Sequence, residues 1–191
     1  STGKSDAKFG VSPEQALALY ARAADEPHLH AQGLAVHIGS QIRDLAPLEA
    51  AFRVMRSLAE KLRSNGIAIE RLDLGGGLGV PYVQGEEAPS ISQWGNVLLD
   101  ACQALGVRSN VCVEPGRSIV AGAAITVYTV GTVKHIPGVR TYVSVDGGMS
   151  DNPRPVLYGS GYEAFLPRAV LAPRPERARL VGKHCESGDV L

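Results

Sequence analysis

Apolar residues recur at helical spacing in three stretches of the chain and run almost unbroken in three others. Leu48, Ala51, Phe52, Met55, Leu58, Ala59 and Leu62 fall at three- and four-residue intervals, the spacing of one buried helix face. Asn65-Gly66 stops that helix. Trp94, Val97, Leu98, Ala101 and Leu105 mark a second amphipathic helix, ended by Gly106. A third begins at Ser12-Pro13-Glu14-Gln15, where Ser12 can cap, Pro13 suits the first turn and Gln15 completes a capping box. It should run to about Asp25, before Pro27. Between these helices, residues 33–38, 69–74 and 111–114 are short apolar runs that read as strands. Strands without polar alternation are covered on both faces, so the first half predicts a parallel sheet flanked by helices, an α/β arrangement.

The pattern changes after about Ile119. Residues 124–134 and 140–146 are rich in Val, Thr and Tyr and are joined by Pro137-Gly138, which predicts antiparallel strands. A stretch rich in Pro and Arg, 167–179, leads to a last candidate strand at 178–182. The division expected from these patterns is an α/β domain over 1–118 and an incomplete β-rich domain over 119–191.

Composition narrows the function classes. Of 191 residues, 45% are hydrophobic and 20% charged, an ordinary globular balance. Lys plus Arg equals Asp plus Glu at 19 each, so there is no basic excess to attract nucleic acid or an anionic membrane. No apolar run approaches the ~18 residues of a membrane span. The three cysteines, Cys102, Cys112 and Cys185, are odd in number and lack C-x-x-C spacing, which argues against a disulfide framework or a zinc site. Reduced thiols and a cytoplasmic location are the expectation. The chain opens Ser1-Thr2-Gly3-Lys4, without an initiator Met or a signal-peptide pattern, and stops within a polar cluster, Cys185 to Leu191. A segment cut at both ends is expected.

Polar groups gather where the first three strands end. His37-Ile38-Gly39-Ser40-Gln41 follows one, Gly75-Gly76-Gly77-Leu78-Gly79 the next, and Glu114-Pro115-Gly116-Arg117 the third. Parallel α/β structures bind ligands at the carboxyl ends of strands, so three successive strand ends point at one place. Singly, each signal is ordinary: a packed histidine, a glycine turn, a surface ion pair. The glycine run fits neither the dinucleotide fingerprint nor a Walker loop, but its bare N–H groups suit a phosphate.

This series, continued by Asp146-Gly147-Gly148-Met149, Arg154-Pro155-Val156-Leu157-Tyr158 and Cys185-Glu186-Ser187-Gly188-Asp189, resembles the diaminopimelate decarboxylases, which belong to the alanine-racemase-like fold type of pyridoxal enzymes. Lys8-Phe9-Gly10 adds to the likeness, which spans almost the whole chain. The resemblance implies part of a TIM (β/α)8 barrel followed by the start of a β-rich second domain. It implies pyridoxal 5'-phosphate as cofactor, with His37 stacked on the pyridine ring. Ser40, Gly76 and Gly77 would hold the phosphate, and Glu114 would bond the ring nitrogen. Pro115, Gly116 and Arg117 complete the cofactor-binding set. Arg117, Arg154, Tyr158 and Glu186 would bind substrate, with Glu186 on the distal amine. Cys185 would donate a proton, and with His37 and Glu114 it makes up the implied catalytic set. The implied reaction is decarboxylation of meso-diaminopimelate to L-lysine, in a homodimer whose active sites are shared across the interface.

The lysine that carries the cofactor in this family is expected upstream of Ser1. Lys4, Lys8, Lys61, Lys134 and Lys183 all lack its context, so the segment alone is expected to be inactive. A carboxynorspermidine- or ornithine-type decarboxylase stays open as an alternative. So does a non-catalytic pyridoxal-binding protein. A generic phosphate-binding barrel would use the glycine run and leave the other motifs without a role.

Overall fold

The computed structural model of the chain describes residues 7–106 and 110–191. The opening Ser1-Thr2-Gly3-Lys4 and the side chain of Leu105, singled out above, lie outside the described residues. The chain divides into two compact units. One comprises Ser1–Val80 and Glu87–Ala124, the other Pro81–Glu86 and Ile125–Leu191.

The first unit alternates helix and strand. Helix α1 (Pro13–Ala24) carries the full capping box between Ser12 and Gln15 and ends at Asp25. Strand β1 (Gly33–Ala35) follows, then α2 (Ala46–Ser64), β2 (Arg71–Gly76), α3 (Ile91–Leu105), β3 (Val111–Glu114) and the single-turn α4 (Gly116–Val120). The strands pair in the order β1-β2-β3, both pairs parallel. Parallel neighbours need a crossover, and α2 and α3 supply the two crossovers. Leu48, Phe52, Met55, Ala59 and Leu62 of α2 are buried, the face that the apolar spacing marks out. With Leu34, Leu72, Leu74, Leu78, Trp94 and Ala101 they form the core, where burying each large side chain stabilises by about 1.5–3 kcal/mol. Gly106 ends α3 in the left-handed conformation at φ 62°.

Two strands differ from the sequence expectation. β1 is three residues long rather than six, because the chain leaves the ladder after Val36, whose N–H still reaches the Asp73 carbonyl at 3.0 Å. β2 lies two residues later than expected and takes in Gly75 and Gly76. Gly75 adopts φ 69° at a register shift between Asp73 and Gly76, and Gly76 then pairs with Glu114. A Cβ on Gly75 would strike the Val36 carbonyl, and one on Gly76 the Glu114 carbonyl. The glycine run is thus partly strand, held where backbones approach too closely for any side chain.

The second unit holds β4 (Val130–Ile136), β5 (Arg140–Val145), the single-turn α5 (Arg154–Tyr158) and β6 (Ala178–Val181). β4 and β5 are antiparallel around the Pro137-Gly138 turn. β6 lies parallel to β5, since the long connection between them brings the chain back in the same direction. Residues 124–129, expected as strand, are not: the Asp146 N–H still reaches the Thr129 carbonyl at 3.2 Å, but the Thr129 N–H bonds the Asp146 side chain instead of its backbone. Among the described residues no helix is long and apolar enough to cross a membrane, and no His/Cys/Asp/Glu group could hold a metal ion.

Candidate active site

In the first unit the carboxyl ends of β1, β2 and β3 come together, because parallel pairing carries all three strands in one direction. His37 lies two residues past β1, and its Nδ1 stands 3.4 Å from Oε2 of Glu114, the last residue of β3. Ser40 Oγ accepts a 3.0 Å bond from Nη2 of Arg117, in the first turn of α4. Between them lies the glycine run: Gly76 in register with Glu114, and Gly77 so close to the Gly39 carbonyl that a Cβ would collide with it. Asp73 Oδ1 accepts the Gly75 N–H at 2.9 Å and fixes the entry to the run. One rim therefore gathers an imidazole, a carboxylate, a hydroxyl, a guanidinium and side-chain-free backbone. Pro115 and Gly116 connect Glu114 to Arg117 across the start of α4.

These groups fit pyridoxal phosphate. The flat, half-exposed His37 ring suits a face of the pyridine. The Glu114 carboxylate suits its protonated nitrogen, and the hydroxyl, guanidinium and glycine N–H groups suit a phosphate dianion.

Comparison with known proteins decides the family. Residues 1–121 match the family described as pyridoxal-dependent decarboxylase, pyridoxal binding domain. The chain belongs to that family. It is 42% identical over 195 residues to diaminopimelate decarboxylase of Synechocystis sp., an alignment covering 100% of this chain and 42% of the relative. The crystal structure of diaminopimelate decarboxylase from Helicobacter pylori, complexed with L-lysine, matches with a TM-score of 0.87 and 34% identity, over 100% of this chain and 46% of that one. The enzyme from M. jannaschii, also in complex with L-lysine, matches at a TM-score of 0.90 and 31% identity, over 100% and 44%. The chain thus spans less than half the length of these pyridoxal-dependent decarboxylases.

The remaining sequence-predicted residues lie in the second unit. Arg154 and Tyr158 sit on α5, with the guanidinium 5.1 Å from the phenol centroid. Arg154 Nε is buried and has no hydrogen-bond partner. Cys185 and Glu186 are exposed on the loop after β6, and Glu186 Oε1 accepts from Ser187 Oγ and the Gly188 N–H, both at 3.2 Å.

That loop is anchored by Asp189, which sequence reading quoted within a motif without a role. Asp189 is 3% exposed, and its carboxylate accepts the Met149 N–H at 2.6 Å and the His184 N–H at 2.8 Å. Gly148 and Gly182 leave the space it fills, since a Cβ on either would overlap its oxygens. Gly147 likewise makes room for the Tyr128 ring. Beside this turn, the Thr129 N–H bonds Asp146 at 2.8 Å and holds that carboxyl below its ordinary value of 3.8. The glycine pair after Asp146 and the lone Gly182 after β6 were the available signals for a buried acceptor.

Proposed function

We propose that a full-length protein carrying this segment is a diaminopimelate decarboxylase, converting meso-diaminopimelate to L-lysine and CO2 with pyridoxal 5'-phosphate. The observation that carries the cofactor part of this reading is the shared rim of His37, Ser40, Glu114 and Arg117 around the glycine run, and the Arg154-to-Tyr158 segment supports diaminopimelate over ornithine as substrate. When bound, the cofactor supplies a protonated pyridine ring that takes up the electron pair left as CO2 departs. The Glu114 carboxylate keeps the proton on the ring nitrogen, and His37 covers a ring face and excludes water there. Ser40, Arg117 and the Gly76 and Gly77 backbone bind the phosphate.

Arg154 binds the substrate carboxylate, for which a guanidinium has the matching forked geometry. Tyr158 flanks it, and Glu186 binds the distal ammonium. The Cys185 thiol gives its proton to the carbon that CO2 leaves. In this reading residues 1–118 are part of a (β/α)8 barrel and residues 119–191 begin a β-rich domain. β3 lies at the edge of the β1-β2-β3 sheet, which supports a further strand beside it, because an unpaired backbone edge invites pairing. The protein acts as a cytoplasmic homodimer, with Cys185 and Glu186 serving the second subunit's site.

The test is CO2 release by the full-length protein with pyridoxal phosphate and, in turn, meso-diaminopimelate, ornithine and carboxynorspermidine. Diaminopimelate is expected to be strongly preferred. A preference for ornithine would overturn the substrate assignment.

A further inference from the structure

We propose that Gln41 is a positioning residue for the cofactor phosphate, clamping the glycine run against the Ser40 loop; this rests on the reading of Ser40 and Gly77 as phosphate ligands.

Gln41 has φ 59°, and among the described residues only Asn110 shares a positive φ without being glycine. Asn, Asp and Gly enter this region readily, whereas a longer side chain has no local bond to offset the steric cost. Gln41 instead uses its side chain at long range. Its Nε2 donates to the Val80 carbonyl at 2.6 Å, and its Oε1 accepts the Val80 N–H at 3.1 Å. One amide thus makes with Val80 both bonds that a neighbouring strand would make.

The next residue continues the seam. Ile42 forms an isolated parallel bridge with Leu78, its N–H donating to Gly77 at 2.8 Å and its carbonyl accepting from Gly79 at 2.9 Å. Residues 77–80 are therefore tied to residues 41–42 by four hydrogen bonds, two of them from the Gln41 side chain. Ser40 directly precedes this seam, and Gly77 opens its other side. Fixing the seam fixes the Ser40 hydroxyl relative to the glycine N–H groups before any ligand arrives. Donors held in place bind an anion more tightly than donors that must first be ordered.

A merely structural clamp would alter binding of every cofactor form alike. A phosphate-positioning clamp acts on the phosphate alone. The experiment titrates the full-length apoprotein with pyridoxal phosphate and with pyridoxal, and uses inorganic phosphate to compete with the former. Gln41→Gly removes both side-chain bonds and suits φ 59° without strain. Gln41→Asn keeps a neutral amide and tolerates φ 59°, is one methylene too short to reach Val80, and carries the test if the glycine variant does not fold. Each variant is expected to bind pyridoxal phosphate about tenfold or more weakly, the scale of one or two lost hydrogen bonds, with pyridoxal binding unchanged within about twofold. Inorganic phosphate should compete less well in the same proportion. Equal weakening of both cofactor forms, or no weakening of either, overturns the proposal. If the unaltered protein binds pyridoxal as tightly as pyridoxal phosphate, the phosphate-ligand reading itself fails and takes the proposal with it.

Discussion

Glu114 and Asp189 show how differently two carboxylates can be used in one chain. Glu114 is at the end of an edge strand, with its side chain 57% exposed and facing His37. That exposure leaves the carboxylate available to a ligand. Glu114→Gln keeps the shape but cannot hold a proton on a ring nitrogen. Cofactor binding is expected to persist while turnover falls about a hundredfold, the scale of losing one preorganised electrostatic contact. Turnover within a few-fold of the parent, in a variant with full cofactor occupancy by absorbance, would contradict the role. Asp189 is the opposite case. It is buried, and two short backbone N–H bonds compensate its charge. The motif lettering makes both residues visible. Only the burial around Asp189 reveals it as an anchor of the Cys185–Glu186 loop rather than a second ligand group.

At the scale of elements, one helix start was read from the sequence. The Ser12 capping box is present as read, and α3 opens with an equivalent one: Ser90 accepts the Gln93 N–H at 3.1 Å, and Gln93 accepts the Ser90 N–H at 2.8 Å. The same S-x-x-Q signal stands in the sequence before Trp94. Ser90→Ala should lower unfolding free energy by about 1 kcal/mol, measured by urea denaturation of the full-length protein. An unchanged midpoint and slope would mean that the cap contributes nothing. The single-turn helices α4 and α5 were not legible, because five residues are too few to establish a helical period. The β2 boundary was misplaced for a related reason. Glycine is normally a strand breaker, and only close contact with Val36 and Glu114 makes it the residue that fits.

For the whole molecule, the proposed assembly divides the chemistry between two subunits: cofactor groups from one, Cys185 and Glu186 from the other. Subunit complementation tests this division. A full-length variant lacking Cys185 is mixed with one lacking the lysine that carries the cofactor. With free exchange, about half of the dimers are mixed and each regains one of two sites, so up to about a quarter of parental activity should return. No recovery, with exchange confirmed independently, would overturn the assignment of Cys185 to the second subunit's site.

Read alone, the sequence determined the α/β character of the first half, the helix faces, the strand ends where polar groups gather, and the family to which their order belongs. Each of these is local or periodic: it depends on a residue's near neighbours, on hydrogen bonding three or four positions away, and on which side is buried. The tertiary structure decided the rest. Gln41 meets Val80 across 39 positions and Asp189 meets Met149 across 40. β6 runs parallel to β5, and Gly75 and Gly76 belong to a strand. Nothing in local composition distinguishes an amide that hydrogen-bonds distant backbone from one in water, or a glycine that turns from one that packs. Those choices depend on which backbone arrives on the other side, and only the folded chain brings it there.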